Sequence, residues 1–150
     1  MKKIPFVLLD EKDASGFLSK TSKQPLTFSR SREQSIAVPG FVTSFKIRLD
    51  SPLRSGKVYV KNHSTFFLSI KCSDSPLYLL GKSQLASQEQ VRTKTFPSKV
   101  FSFKFHDGSL LDPQEGEPPK FQDLTIELAS FYDQEEAHTV GLQWIEFYSA

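Results

Sequence analysis

Apolar and polar residues alternate with a period of two in five separate stretches of the chain. In Phe45-Lys46-Ile47-Arg48-Leu49-Asp50 the alternation is strict, which places Phe45, Ile47 and Leu49 on one face of an extended strand. The same period recurs in Val58-Tyr59-Val60, Phe66-Phe67-Leu68-Ser69-Ile70, Phe101-Ser102-Phe103-Lys104-Phe105 and Leu124-Thr125-Ile126-Glu127-Leu128. Weaker strand signals cover residues 4–9, 26–29, 35–38, 77–80 and 92–96. Turn chemistry punctuates them: Pro39-Gly40, Asp50-Ser51-Pro52, Ser55-Gly56, Asp74-Ser75-Pro76 and Asp107-Gly108. Short strands so spaced predict an all-β fold, an antiparallel β-sandwich of jelly-roll-like kind, with residues 1–150 as a single domain. Phe45, Ile47, Leu49, Phe101, Phe103, Phe105, Leu124, Ile126 and Leu128 are the expected core. The one helix candidate is 83–91, with Ser83 as its N-cap.

The closing run Val140-Gly141-Leu142-Gln143-Trp144-Ile145-Glu146-Phe147-Tyr148 breaks the alternation. Leu142, Trp144 and Tyr148 share one parity, while Ile145 and Phe147 share the other. Either both faces of this strand are covered or a bulge near Gln143 switches the inward parity, and both options embed it in the sheet. The segments 15–25 and 112–119 read as loops, the second because its three prolines cannot donate backbone hydrogen bonds.

Composition strengthens the strand reading. The 150 residues include 14 Phe, 4 Tyr and 1 Trp but one Met, an inventory that fits half-buried pleated surfaces. No apolar run approaches the length of a membrane helix, so no membrane partner is expected. Lys2 and Lys3 ahead of residues 4–9 imitate a signal peptide, yet Asp10, Glu11 and Asp13 end the apolar stretch early and no small-residue cleavage site follows. The expected location is therefore a virion or the cytoplasm. A lone Cys72 permits no internal disulfide and no multi-thiolate metal site, and it is expected as a small buried or half-buried residue closing a strand. Charge is uneven: residues 1–61 carry 12 Lys and Arg against 5 acids, +7, and residues 62–150 carry 7 against 12, −5. Opposite-signed halves can pair between copies of a chain.

The strand at 124–128, the loop 132–138 and the ending Gly-Leu-Gln-Trp-Ile-Glu-Phe-Tyr-Ser-Ala together resemble the end of galactose-binding-like jelly-roll domains of the discoidin and carbohydrate-binding-module kind. The resemblance implies a jelly-roll sandwich whose last strand lies near its first. If it extends to function, a sugar sits among end loops, where Tyr132, Asp133 and His138, with Asp107, have the chemistry to stack on a pyranose and read its hydroxyls.

Catalytic grammar is missing. His63, His106 and His138 sit beside turns rather than in a metal spacing, and His106-Asp107 has no framed nucleophile beside it. Glu115, Glu117, Glu135 and Glu136 read as solvated loop carboxylates. The chain is therefore expected not to be an enzyme and to carry no cofactor or metal. Tyr59, Phe67, Phe131, Tyr132, Trp144 and Tyr148 include several aromatics at parities opposite to the core, which offer partner contacts, although a fold this rich in Phe buries most of its rings. The stretch with Lys20, Lys23, Arg30, Arg32 and Phe28 has too few interleaved aromatics for a nucleic-acid module. The expected role is a noncatalytic structural or interaction subunit of an assembly, and the architecture looks like that of tailed-phage virion accessory proteins. A glycan-binding module is the alternative. Phe-rich edge strands call for a covering partner, a second copy or another structural protein, with Trp144, Phe66 and Phe67 as candidate contacts.

Overall fold

A computed structural model describes residues 1–9, 18–22, 24–29, 42–73, 79–106, 121–130 and 139–150 of the chain. Ten strands and one short helix make up this part: β1 (Lys3–Ile4), β2 (Phe6–Leu8), β3 (Leu26–Ser29), β4 (Val42–Leu53), β5 (Ser55–Asn62), β6 (Phe67–Cys72), β7 (Leu79–Gln84), α1 (Gln88–Thr93), β8 (Val100–His106), β9 (Phe121–Ala129) and β10 (Thr139–Ser149). They form two five-stranded antiparallel sheets. The first runs β1-β10-β5-β8, with β3 also pairing β10, and the second runs β2-β4-β9-β6-β7. The predicted all-β, jelly-roll-like sandwich is what the chain forms.

Alternation sets the core as expected for most positions. Phe45, Ile47, Leu49, Leu124, Ile126 and Leu128 are buried between the sheets with Val58, Val60, Leu68, Ile70, Ile145 and Phe147. Phe101 and Phe103 depart from the expectation, being half-buried against the edge of this core. Their strand, β8, is the last of its sheet among the described residues. The side chain of Phe105 lies outside the described residues. Cys72 is buried at the end of β6, as its position predicts.

Several local expectations are corrected. The 4–9 segment is two strands, because Pro5 interrupts it: β1 joins β10 in the first sheet and β2 joins β4 in the second. Asp50-Ser51-Pro52 is no turn but part of β4, where the ladder to β9 breaks between Arg48 and Leu53. Proline lacks the donor that a continuous ladder needs, and the Gln122 amide instead donates to the Leu49 carbonyl at 3.0 Å. Ser55-Gly56 likewise opens β5. The helix starts later than predicted, since Ser83 lies in β7 and Ser87 is the N-cap. Ser87 alone is followed three residues on by Gln, and the two close a capping box: Gln90 N–H donates to Ser87 Oγ at 3.1 Å and Ser87 N–H to Gln90 Oε1 at 2.8 Å. Residues 92–96, expected as a weak strand, hold the end of this helix and its left-handed cap, Lys94. The 35–38 signal and the turns at Pro39-Gly40, Asp74-Ser75-Pro76 and Asp107-Gly108 lie outside the described residues.

β10 settles the ambiguity in the closing run, because both options hold at once. The register with β5 shifts between Leu142 and Trp144, so Val140 and Leu142 point inward before the bulge and Ile145 and Phe147 after it. Trp144 and Glu146 are then left on the outer face, and both are nevertheless buried. The strand also pairs with β1, Lys3 opposite Tyr148, which bears out the architecture that the C-terminal resemblance implied. No described helix is long and apolar enough to cross a membrane.

Candidate functional site

The segment 18–22 lies beside β10 and sends Lys20 over its outer face. Leu18 is fully buried, with its backbone in the left-handed region at φ 66°, and its carbonyl accepts from Ile145 N–H at 3.1 Å. The chain then reverses, Ser22 N–H donating to Ser19 O at 3.0 Å, while the Gln143 amide at the bulge donates to Ser22 O at 3.2 Å. This tight turn carries Lys20 over Trp144, its ammonium 4.9 Å from the ring centroid.

Around that contact the outer face of the first sheet assembles from three strands. Trp144, Glu146 and Tyr148 of β10 stand opposite Lys61, Tyr59 and Lys57 of β5, and Lys57 and Tyr59 in turn stand opposite Lys104 and Ser102 of β8. Glu146 is 4% exposed and sits among cations: Lys3 Nζ lies 2.7 Å from Oε2 and Lys20 Nζ 3.1 Å from Oε1. The Tyr148 hydroxyl donates to Oε1 at 3.3 Å. Burial pushes the Glu146 carboxyl up, but the hydrogen bonds and charges of Lys3 and Lys20 outweigh it and hold the group below the ordinary glutamate value. The hydrogen bond to Glu146 correspondingly raises Lys3. Tyr148 packs edge-on to Tyr59 at 5.3 Å, and Lys57 Nζ lies 5.1 Å from the Tyr59 centroid.

Among the described residues the face therefore carries Lys3, Lys20, Lys57, Lys61 and Lys104 around three aromatic rings and one carboxylate. That carboxylate is committed to Lys3 and Lys20, leaving the β5 and β8 lysines to give the face its sign. The outer face of the second sheet is different: Arg48 makes a two-pronged pair with Asp123 at 2.8 and 3.1 Å, and Lys71 pairs Glu127 at 3.2 Å. There these two pairs cancel locally, and Lys46 and Lys82 stand exposed on the same face without a neighbouring aromatic cluster.

The expected contacts fall on different surfaces. Trp144 is on the lysine face but only 8% exposed, with Lys20 above it. Phe67 is half-buried on the outer face of the second sheet, opposite Ala129, which itself stands opposite the exposed Val42. Phe66 is half-buried in the preceding bend, where its N–H donates to Ala129 O at 2.9 Å. The proposed sugar contacts Tyr132, Asp133, His138 and Asp107 lie outside the described residues, as do Phe131, Lys23, Arg30, Arg32 and the loop carboxylates. His63 is exposed, its Nδ1 2.9 Å from Ser64 Oγ. No three His, Cys, Asp or Glu residues converge among the described residues. Sequence reasoning missed Glu146, Lys3 and Lys20 as a group. The signal available was the lone carboxylate of the closing strand, set between Ile145 and Phe147.

No known family and no curated protein matches this chain. Solved structures do. The structure of reduced XRCC1 bound to the DNA polymerase β catalytic domain is similar over 73% of this chain and 74% of that one, with a TM-score of 0.53 and 17% identity. The solution structure of the N-terminal domain of the single-strand break repair protein XRCC1 is similar over 72% and 73%, with a TM-score of 0.50 and 16% identity. The likeness is one of fold.

Proposed function

We propose that this chain is a noncatalytic protein-interaction module that receives an acidic surface of another protein on the outer face of its first sheet. The observation that carries the reading is the concentration of Lys57, Lys61 and Lys104 beside Tyr59 and Tyr148, with the one carboxylate that the described residues place there, Glu146, already held by Lys3 and Lys20. Such a face attracts negative charge over a distance, and its ordered aromatic rings supply contact area without much loss of side-chain freedom on binding. The XRCC1 structure above is bound to another protein, a use of the shared architecture that agrees with this reading.

Charge disfavours a second copy on this face, because two lysine faces repel one another. A pyranose stacked on Trp144 is disfavoured by Lys20, which occupies that side of the ring. The narrower role of a phage virion subunit draws no support from the structural neighbours.

Lysine-reactive cross-linking of complexes purified with this chain tests the reading. Cross-links to an acidic protein should concentrate at Lys57, Lys61 and Lys104. Recovery of the chain alone, or cross-links concentrated at Lys46, Lys71 and Lys82 on the opposite sheet, would overturn it.

A further inference from the structure

The same face ends at a strand edge. β8 pairs with β5 in unbroken register from Ser55 opposite His106 to Lys61 opposite Val100, and among the described residues no strand pairs with its other side, the nearby β7 belonging to the second sheet. In an antiparallel ladder alternate residues direct their N–H and C=O to one neighbour, so half of the backbone groups of β8 point away from β5. Natural edges of this kind are blunted by lysine, proline, bulges, inward-pointing charge or a covering segment. Between Val100 and His106 there is no proline, the register has no bulge, and the one lysine, Lys104, stands on the outer side.

Both faces of this edge are incomplete as well. On the inner side, Phe101 and Phe103 pack against the core but remain half-buried, and Lys99 Nζ lies 4.8 Å from the Phe101 centroid. On the outer side, Val100, Ser102 and Lys104 are exposed, Val100 at 49%, with Lys57 and Lys61 in the next strand. An added strand would place alternate side chains over the two rings and the remaining ones beside the lysines.

Resting on the reading of the lysine face as a docking surface, we propose that the partner engages it by adding an extended segment to β8, with apolar residues inward over Phe101 and Phe103 and acidic residues outward beside Lys57, Lys61 and Lys104. Charge selects this occupant over a second copy. Edge-to-edge pairing of two β8 strands would bring two lysine-rich faces together, whereas an acidic strand makes opposite-charge cross-strand pairs.

A seven-residue peptide alternating Val and Glu is the probe, matched in length to β8 and used on the full chain. Binding is read by anisotropy of the labelled peptide, and its location by amide hydrogen exchange. The inference expects saturable binding, slowed exchange at alternate amides between Val100 and Lys104, and loss of binding when the peptide is N-methylated at alternate residues. Lys104→Glu should weaken binding about three- to tenfold, while a Val and Lys peptide should not bind. Absence of binding, or equal binding of the Val and Lys peptide, overturns the inference. Binding that leaves β8 exchange unchanged also overturns it, while leaving the lysine face standing. Slowed exchange at β8 that grows with protein concentration in the absence of peptide overturns it in favour of a second copy.

Discussion

The Lys3 ammonium lies 2.7 Å from Glu146 Oε2, joining the first strand of the sandwich to the last from outside the sheet. The backbone pairing behind this contact is short, since only Lys3 and Ile4 pair with β10. Lys20 closes the other carboxylate oxygen from the turn at 18–22, so one side chain anchors two segments that are distant in sequence. This arrangement also fixes the surroundings of Trp144 and Tyr148.

Glu146→Gln should therefore loosen the N-terminal strand as well as remove a charge. Because the lysines are more than half exposed and can be resolvated, the expected loss is about 1 to 2 kcal/mol near neutral pH. Its pH dependence has a defined sign. The folded-state value of Glu146 lies below the unfolded one, so the contribution is complete above the ordinary glutamate value and is lost as pH falls through the folded value. Lys3, raised in the folded state, adds a contribution that is lost as pH rises through its own folded value. Urea unfolding across pH should show wild type and variant converging in acid. A difference that persists unchanged in acid contradicts the electrostatic account.

Burial ranks the phenylalanines. Phe147→Ala, at a fully buried position, should cost about 3 to 5 kcal/mol, and Phe103→Ala, half-buried at the β8 edge, about 1 to 2 kcal/mol. Equal losses in chemical denaturation would mean that the β8 edge is closed by something in the free chain.

Gly141 is expected to tolerate no side chain. A Cβ there would run into the Leu26 carbonyl oxygen and come within 2.8 Å of Thr27 Cγ2, on the strand that pairs with it. The Gly141 carbonyl also accepts from Thr65 Oγ1 at 2.8 Å, and its N–H donates back to that hydroxyl at 3.1 Å, so the backbone has little room to shift. Gly141→Ala should cost about 1 to 3 kcal/mol, and faster amide exchange should be confined first to β3 and the start of β10. Wild-type exchange in β3 would contradict the close approach.

The fold was legible where burial on one face enforced a period of two, as at Phe45, Ile47 and Leu49. It was less so where local chemistry was overridden. Asp50-Ser51-Pro52 has turn residues, yet it lies within β4, between the paired positions Arg48 and Leu53. The capping box at Ser87 and Gln90 was readable from spacing alone, and the earlier Ser83 competed with it only because both are good caps. The interaction face was not legible, because it depends on register. Only pairing puts Lys57, Lys61 and Lys104 beside Tyr148 and Glu146, and only the bulge after Leu142 turns Trp144 outward. Lys20 joins them through a turn whose position rests on the burial of Leu18, a contact between residues more than a hundred apart in sequence.

Charge reversal on one face at a time tests the docking account most directly. Lys57→Glu, Lys61→Glu and Lys104→Glu should be combined in one variant, with Lys46→Glu and Lys82→Glu on the exposed face of the second sheet as the control. Each variant is compared with wild type for recovery of the acidic protein that cross-links to the chain, after thermal unfolding shows that the sandwich is intact. The account predicts that the first variant loses the partner and the control keeps it, with the wild-type complex weakening as salt is raised. Retention by the first variant, or equal loss in both, would contradict it.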